Sequence, residues 1–278
     1  MEPVSTNATS SAQPFLRWAG GKRWLVPQLP EILGDLRFNA YHEPFLGGGS
    51  IFLGLSHDGR SFLSDLNAEL IETYIQVRDN PRAVARELRQ HKSDKEYYYD
   101  LRAAKPSLPV ARAARFIFLN HTSYNGIFRV NLRGDYNVPF GRHTPRVPTE
   151  DDLLAVSEQL QKSVMHTADF AECVEHVSPG DLVFLDPPYT VAHNYNGFVR
   201  YNQKLFSWED QARLSVVIDE IKRKNAFYIL TNAAHSSIAE LFDKGDKKIV
   251  TSRKNAIAGL ISSRGIATEY LFTNVGTQ

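Results

Sequence analysis

The chain has a single cysteine, Cys173, among 278 residues. A lone thiol closes no internal disulfide and supports no cysteine-based metal site, and the setting it fits is a reducing, cytoplasmic one. Long apolar runs are missing as well. No stretch of about 18 apolar residues occurs, which excludes a membrane-spanning helix. Met1 to Pro14 is rich in Ser, Thr and Ala but has neither a basic start nor an apolar stretch. It reads as a disordered tail rather than a signal peptide. Charge of one sign is scarce: the net is +1, too little for a protein that coats nucleic acid by bulk charge. Nine histidines are present, but no pair has helical metal-ligand spacing beside a carboxylate, so no metal is expected.

The distribution of charge says more than the sum. Eight Lys or Arg stand between Arg102 and Arg146 against one acid, Asp135. Such clustering is the footprint expected where phosphates are met, although a solvated basic face has the same composition. Elsewhere short apolar runs alternate with amphipathic stretches, which is the α/β pattern. Strands are expected at Tyr41–Glu43, Ser61–Ser64, Val164–Thr167, Leu182–Leu185, Ala226–Leu230, Lys247–Thr251 and Glu269–Thr273. Helices are expected over Ser50–Ser56, Ala68–Val77 and Glu209–Arg223. The middle breaks the alternation. Pro81–Gln90, Lys95–Ala104 and Pro109–Leu119 read as helices, the first and third with proline near the start. A hairpin follows, with arms Ile127–Arg133 and Tyr136–Phe140 around Gly134-Asp135.

Three motifs carry chemistry. Asp186-Pro187-Pro188-Tyr189 follows the apolar run Leu182-Val183-Phe184-Leu185, and so sits at the carboxyl end of a parallel strand, where open α/β sheets place ligands. Two prolines make a rigid turn with free carbonyls. The Asp186 carboxylate and the Pro187 carbonyl can hold an exocyclic amine, and Tyr189 offers a face for an extruded base. The plain alternative is a strand-ending turn. Second, Glu43-Pro44-Phe45-Leu46-Gly47-Gly48-Gly49-Ser50 joins the first strand to its helix. It is not the dinucleotide fingerprint, because Phe52 stands where the third glycine belongs. Asp65, at the end of the next strand, can accept both hydroxyls of a ribose, or simply cap the following helix. Third, Trp18-Ala19-Gly20-Gly21-Lys22 suits a lid whose lysine faces a carboxylate, though Trp18 can equally be core and Lys22 surface.

These segments, in this order, resemble the Dam-type, class alpha DNA adenine-N6 methyltransferases. The resemblance runs from about Phe15 to Thr273. It implies S-adenosylmethionine as cofactor, with Trp18, Gly21, Lys22, Phe45, Gly47, Gly48, Gly49, Asp65, Asp169, Phe170 and Asp186 around it. Asp186, Pro187, Pro188 and Tyr189 are implied as the catalytic set. Tyr124 to Asn131 and Arg133 to Gly141 resemble the family's DNA-contacting hairpin. Tyr124 is implied as the aromatic that enters the duplex, and Asn125, Ile127 and Arg129 as the base-reading group. Arg17, Arg133, Asn137 and Arg142 complete the DNA side, and the expected recognition sequence is GATC. Arg17 departs from the lysine that GATC-recognising members often carry, a non-neutral change at a base contact.

The expected fold is α/β and Rossmann-like: a mostly parallel sheet with helices on both faces, an antiparallel edge strand, and an inserted helical target-recognition domain with a β-hairpin. The boundaries are a tail at 1–14, a catalytic domain at 15–78 and 150–278, and a DNA-recognition domain at 79–149. The expected partner is double-stranded DNA, with no membrane and a monomer or weak dimer in solution. The segment Thr190–Phe206 is long, aromatic and Asn-rich, either closing over the flipped base or serving as a structural loop. Rival readings are an N4-cytosine methyltransferase, which more often has Ser in place of Asp186, and an RNA adenine methyltransferase. A nicotinamide-dependent oxidoreductase lacks its third glycine here. A non-catalytic DNA-binding protein would not need Asp186–Tyr189 and Lys22 intact.

Overall fold

The computed structural model describes residues 12–55, 57–131, 133–141, 146–190, 206–254 and 266–276. In chain order the helices are α1 (Leu29–Leu33), α2 (Ser50–Gly54), α3 (Ala68–Asp79), α4 (Pro81–Gln90), α5 (Lys95–Ala103), α6 (Pro109–Thr122), α7 (Glu150–Leu160), α8 (Trp208–Arg223) and α9 (Ser236–Phe242). The strands are β1 (Tyr41–Glu43), β2 (Ser61–Asp65), β3 (Ser163–Thr167), β4 (Leu182–Leu185), β5 (Phe227–Ala233), β6 (Lys247–Lys254) and β7 (Ile266–Thr273). Two compact units are distinguished. One comprises Met1–Arg23, Gly47–Ser56 and Ala68–Lys162; the other comprises Trp24–Leu46, His57–Asn67 and Ser163–Gln278.

All seven strands belong to the second unit, in the order β3-β2-β1-β4-β5-β7-β6. The five strands from β3 to β5 are parallel. β7 runs antiparallel to β5 and to β6, so the reversed strand lies one in from the edge. β6 and β7 are consecutive in the chain, and antiparallel neighbours need no crossover helix. The architecture is the mixed α/β, mostly parallel sheet with an antiparallel edge that the sequence pattern predicts. From β1 the chain steps outward to β2 and β3, whereas β4 and β5 lie on its other side. β1 and β4 therefore flank the switch point of the sheet, outside whose carboxyl ends ligands bind.

Every residue of β4 is buried, as its unbroken apolar run requires of a strand covered on both faces. On one face Val183, Leu185, Tyr228 and Leu230 pack with Leu214, Ile218 and Ile221 of α8 and with Ile238 and Phe242 of α9. α8 opens on Ser207, whose hydroxyl and Asp210 bond reciprocally to each other's backbone, a cap worth about 1 kcal/mol.

The first unit is helical. α3, α6 and α7 bury Tyr74 and Val77, Ile117 and Leu119, and Val156 and Leu160. Pro81 and Pro109 open α4 and α6 as expected. The sequence reading omitted α7, although Thr149 and Asp152 form a capping box at its start. α1 and α9 were also omitted; at five and seven residues they are too short to show a helical period. The expected hairpin is irregular. It holds two isolated bridges, Ser123 with Phe140 and Val130 with Tyr136, rather than a continuous ladder. Asn131 Oδ1 accepts from the backbone of Arg133 and Asp135, and Pro139 has no N–H to donate, so side-chain bonds replace part of the ladder.

Candidate active site

Asp186 is the first residue after β4, and β4 and β5 pair with Leu185 opposite Leu230. That register sets Thr231, the next residue of β5, beside Asp186. The Thr231 hydroxyl donates to Asp186 Oδ1 at 2.7 Å. Pro187 is buried, and Pro188 and Tyr189 are half-buried. The turn is also held just past its last residue. The Thr190 hydroxyl donates to the Phe206 carbonyl at 3.1 Å, Gln211 Nε2 donates to Thr190 Oγ1 at 2.9 Å, and Asn232 Nδ2 donates to Gln211 Oε1 at 3.0 Å. Gln211 and Asn232 are fully buried. Sequence reasoning missed Thr231, Gln211 and Asn232. The available signal was Thr231-Asn232 inside an otherwise apolar strand, since buried polar groups must find partners.

In the same unit Asp65 ends β2, half-buried, and its Oδ1 accepts the Asn67 N–H at 2.9 Å just before α3. The bond closes an Asx-type turn ahead of α3, which begins at Ala68, rather than capping the helix itself. Phe45 stacks on Phe170 with ring centroids 5.3 Å apart, and Phe206 meets both rings. Asp169 Oδ1 accepts from Ala171 N–H at 3.0 Å and from Arg213 at 2.7 Å. The Arg213 guanidinium lies 4.8 Å over the Phe170 ring. Arg213, which the sequence reading left out, thereby ties Asp169 and Phe170 to α8.

The first unit contains Trp18, Gly21, Lys22 and the glycines of the turn into α2. Gly47 and Gly49 have φ of +47° and +62°, which favours glycine. A Cβ on Gly47 would come within 2.7 Å of the Trp18 ring, and one on Gly48 within 2.9 Å of the Trp18 side chain. The backbone here is bare because the indole lies against it. Lys22 is buried, 3% exposed, and its Nζ donates to the Gly20 carbonyl at 3.0 Å. A buried ammonium is costly without partners, so the surface reading of Lys22 does not hold.

The hairpin residues lie in the same unit. Tyr124 is exposed, Asn125 is exposed in a left-handed conformation with φ +58°, and Ile127 is half-buried. Arg129 Nε donates to Asn137 Oδ1 at 2.7 Å, so two residues of the expected DNA set hold each other. Arg17 is exposed. Its backbone exchanges two 2.8 Å bonds with the buried side chain of Asn120, and its own side chain lies against Gly126. Asn120 is a further residue missed in the sequence. Arg133 is exposed, while Arg142 lies outside the described residues, as does the segment 191–205.

Residues 18–257 match the family of D12 class N6 adenine-specific DNA methyltransferases. The chain belongs to this family. It is 34% identical over 276 residues to a type II methyltransferase, M1.LlaDCHI, of Lactococcus lactis subsp. cremoris, covering 95% of this chain and 96% of the relative. It is 32% identical over 258 residues to the DNA adenine methylase of Escherichia coli, covering 90% of both. A type II methyltransferase of Methanocaldococcus jannaschii is 32% identical over 265 residues, covering 87% of this chain and 92% of the relative. The protein is thus a site-specific DNA adenine methyltransferase, which decides against cytosine, RNA and nicotinamide chemistry. As a methyltransferase of this class it draws its methyl group from S-adenosylmethionine.

In this D12 methyltransferase the basic segment is less uniform than its composition suggests. Arg112 is clamped by both oxygens of Glu72. Arg115 donates to the carbonyls of Leu101 and Arg102, and burial lowers its pKa. Arg102 donates to the Val138 carbonyl, as does the buried hydroxyl of Tyr98. Lys105 pairs with Asp135 at 3.3 Å. Arg102, Lys105, Arg112 and Arg115 thus help build the helical unit and its hairpin. Among the described residues no cluster of three or more His, Cys, Asp or Glu is arranged to hold a metal, and no helix is long and apolar enough to cross a membrane.

Proposed function

We propose that methyl transfer is carried out at Asp186-Pro187-Pro188-Tyr189, on an adenine rotated out of duplex DNA, with GATC as the recognition sequence. The observation that carries this reading is the position of the tetrapeptide: a doubly anchored turn at the carboxyl end of β4, at the switch point of the sheet. In this reading the flipped base stacks on Tyr189. Asp186 and the Pro187 carbonyl accept the two N6 hydrogens and favour the positive charge that develops on nitrogen. N6 forms a bond to the methyl carbon as the carbon–sulfur bond breaks, and a proton then leaves N6.

S-adenosylmethionine supplies a methyl group already activated on a sulfonium, so alignment is the main task left to the protein. Each unit carries residues whose chemistry suits that ligand. Asp65 offers a carboxylate for ribose hydroxyls, the glycines at 47–49 allow close approach, and buried Lys22 is a counter-charge for a carboxylate. Trp18, Gly21, Phe45, Asp169 and Phe170 complete this set. Residues 79–149 serve as the target-recognition segment: Tyr124 enters the duplex, Asn125, Ile127 and Arg129 read bases, and Arg17, Arg133, Asn137 and Arg142 position the DNA. The setting is the cytoplasm and the working form a monomer or weak dimer.

The test is transfer of labelled methyl from S-adenosylmethionine to paired duplexes that differ only in whether they contain GATC, followed by nucleoside digestion. N6-methyladenine in the GATC duplex alone is the expected result. Label in both duplexes would overturn GATC while leaving the chemistry in place.

A further inference from the structure

At the end of the central strands Asp186 has a buried neighbour on β5, Thr231. Thr231 is 1% exposed, and its hydroxyl lies 2.7 Å from Asp186 Oδ1 and 3.5 Å from the Leu185 carbonyl. A hydroxyl has one proton to give, and the shorter contact, to a carboxylate, is the charge-assisted one. The backbone of Thr231 is fixed on both sides. β5 pairs with β4 at Leu230 opposite Leu185, and with β7 at Thr231 opposite Leu271. Its side chain is β-branched, with little χ1 freedom. The donor is therefore rigid, whereas the acceptor stands on the first residue of a turn, with two torsions of its own.

We infer that Thr231 is a positioning residue for methyl transfer, its hydroxyl holding the Asp186 carboxylate in the one orientation that accepts the adenine amine. The inference rests on the proposed catalytic role of Asp186. An acceptor that must meet both a trigonal amine and the tetrahedral nitrogen that follows works only within a narrow range of angles. Losing the hydroxyl removes a rigid, charge-assisted donor from Asp186 Oδ1, and the cost falls on the rate of transfer rather than on the binding of either substrate. Nothing in the sequence pattern couples positions 231 and 186; the register of β5 on β4 does.

The experiment measures single-turnover transfer of labelled methyl from S-adenosylmethionine to bacterial genomic DNA that lacks adenine methylation. It is run on wild type, Thr231→Val, Thr231→Ala, Thr231→Ser and Asp186→Ala. Cofactor and DNA affinities and thermal midpoints are measured alongside. Thr231→Val and Thr231→Ala are expected to slow transfer about 10- to 100-fold, the worth of a hydrogen bond to a charged group. Affinities should stay within about threefold, and Thr231→Ser should recover most of the rate. Serine as slow as valine, or a rate in both valine and alanine variants within about twofold of wild type, would overturn the inference. So would loss of cofactor or DNA binding in step with rate, which marks a merely structural role. Alanine covers the case in which valine fails to fold. If Asp186→Ala itself transfers at the wild-type rate, the catalytic assignment falls, and the inference with it. Asp186→Ala inactive beside a fully active Thr231→Val removes the inference alone.

Discussion

The indole of Trp18 stacks on the ring of Phe128, centroids 5.7 Å apart and planes at 19°. Trp18 also lies against Gly47 and Gly48, so one side chain touches both the glycine turn and the hairpin. Phe128 in turn meets Phe116 and Tyr136. An aromatic pair of this kind contributes about 0.5–1.5 kcal/mol beyond burial. Phe128→Leu should therefore weaken S-adenosylmethionine binding about 2- to 10-fold, although Phe128 belongs to the hairpin. Equilibrium dialysis in the absence of DNA measures this, and an unchanged Kd would contradict either the proposed cofactor contact of Trp18 or its dependence on Phe128.

Asp186→Ala should abolish transfer while leaving DNA binding largely intact, since the acceptor is lost and the hairpin is untouched. Filter binding beside a transfer assay separates the two. Residual activity near wild type would place the catalytic centre elsewhere.

Arg129 and Arg133 should fail in different ways. Arg129→Ala removes a fork already braced by Asn137. It should cost about 1–3 kcal/mol of discrimination and relax the preference at one base pair. Arg133→Ala should weaken all duplexes alike and lower the salt slope of binding by about 1. Competition binding with single-base variants at several salt concentrations tells them apart. Equal loss of specificity in both variants would contradict these roles.

Stability should fall on mild acidification. Burial holds the pKa of His42, His91 and His121 below the ordinary imidazole value. At His42 the Asp181 carboxylate, 2.9 Å away, offsets this only in part. The unfolded chain takes up protons near pH 6.5, where the folded protein does not, so stability is fully present above about pH 6.5 and is lost as pH drops toward the folded values. The thermal midpoint should drop between about pH 7.5 and 5.5. A midpoint flat across that range would contradict burial of these three rings in neutral form.

Cys173 should be inert in the native protein. Burial pushes its thiol pKa up to about 12, and the thiolate is the reactive form. Thiol-reactive reagents should label it only on unfolding, and labelling at the rate of a free thiol under native conditions would contradict its packing.

Much of this protein is legible in local pattern. An unbroken apolar run predicts β4, and Asp186-Pro187-Pro188-Tyr189 directly after it predicts a rigid acceptor-bearing turn, because strand burial and proline geometry act over a few neighbouring residues. Prolines 81 and 109 mark their helices for the same reason. The irregular hairpin was less legible, because Asn131 competes with the ladder through its side chain. The basic segment misleads as a composition: whether an arginine meets a phosphate or an internal carbonyl depends on where α6 packs, and composition does not record that.

Sequence alone determines the fold class, the motif order and the chemical identity of the turn after β4, since each follows from short-range rules of burial and backbone geometry. Only the tertiary structure decides which partners hold that turn. Thr231 is 45 residues from Asp186 in the chain, and Gln211 is 21 from both Thr190 and Asn232. Those pairs exist because parallel strands and a crossover helix settle into one register. That register is chosen by the packing of the whole sheet, not by any segment within it.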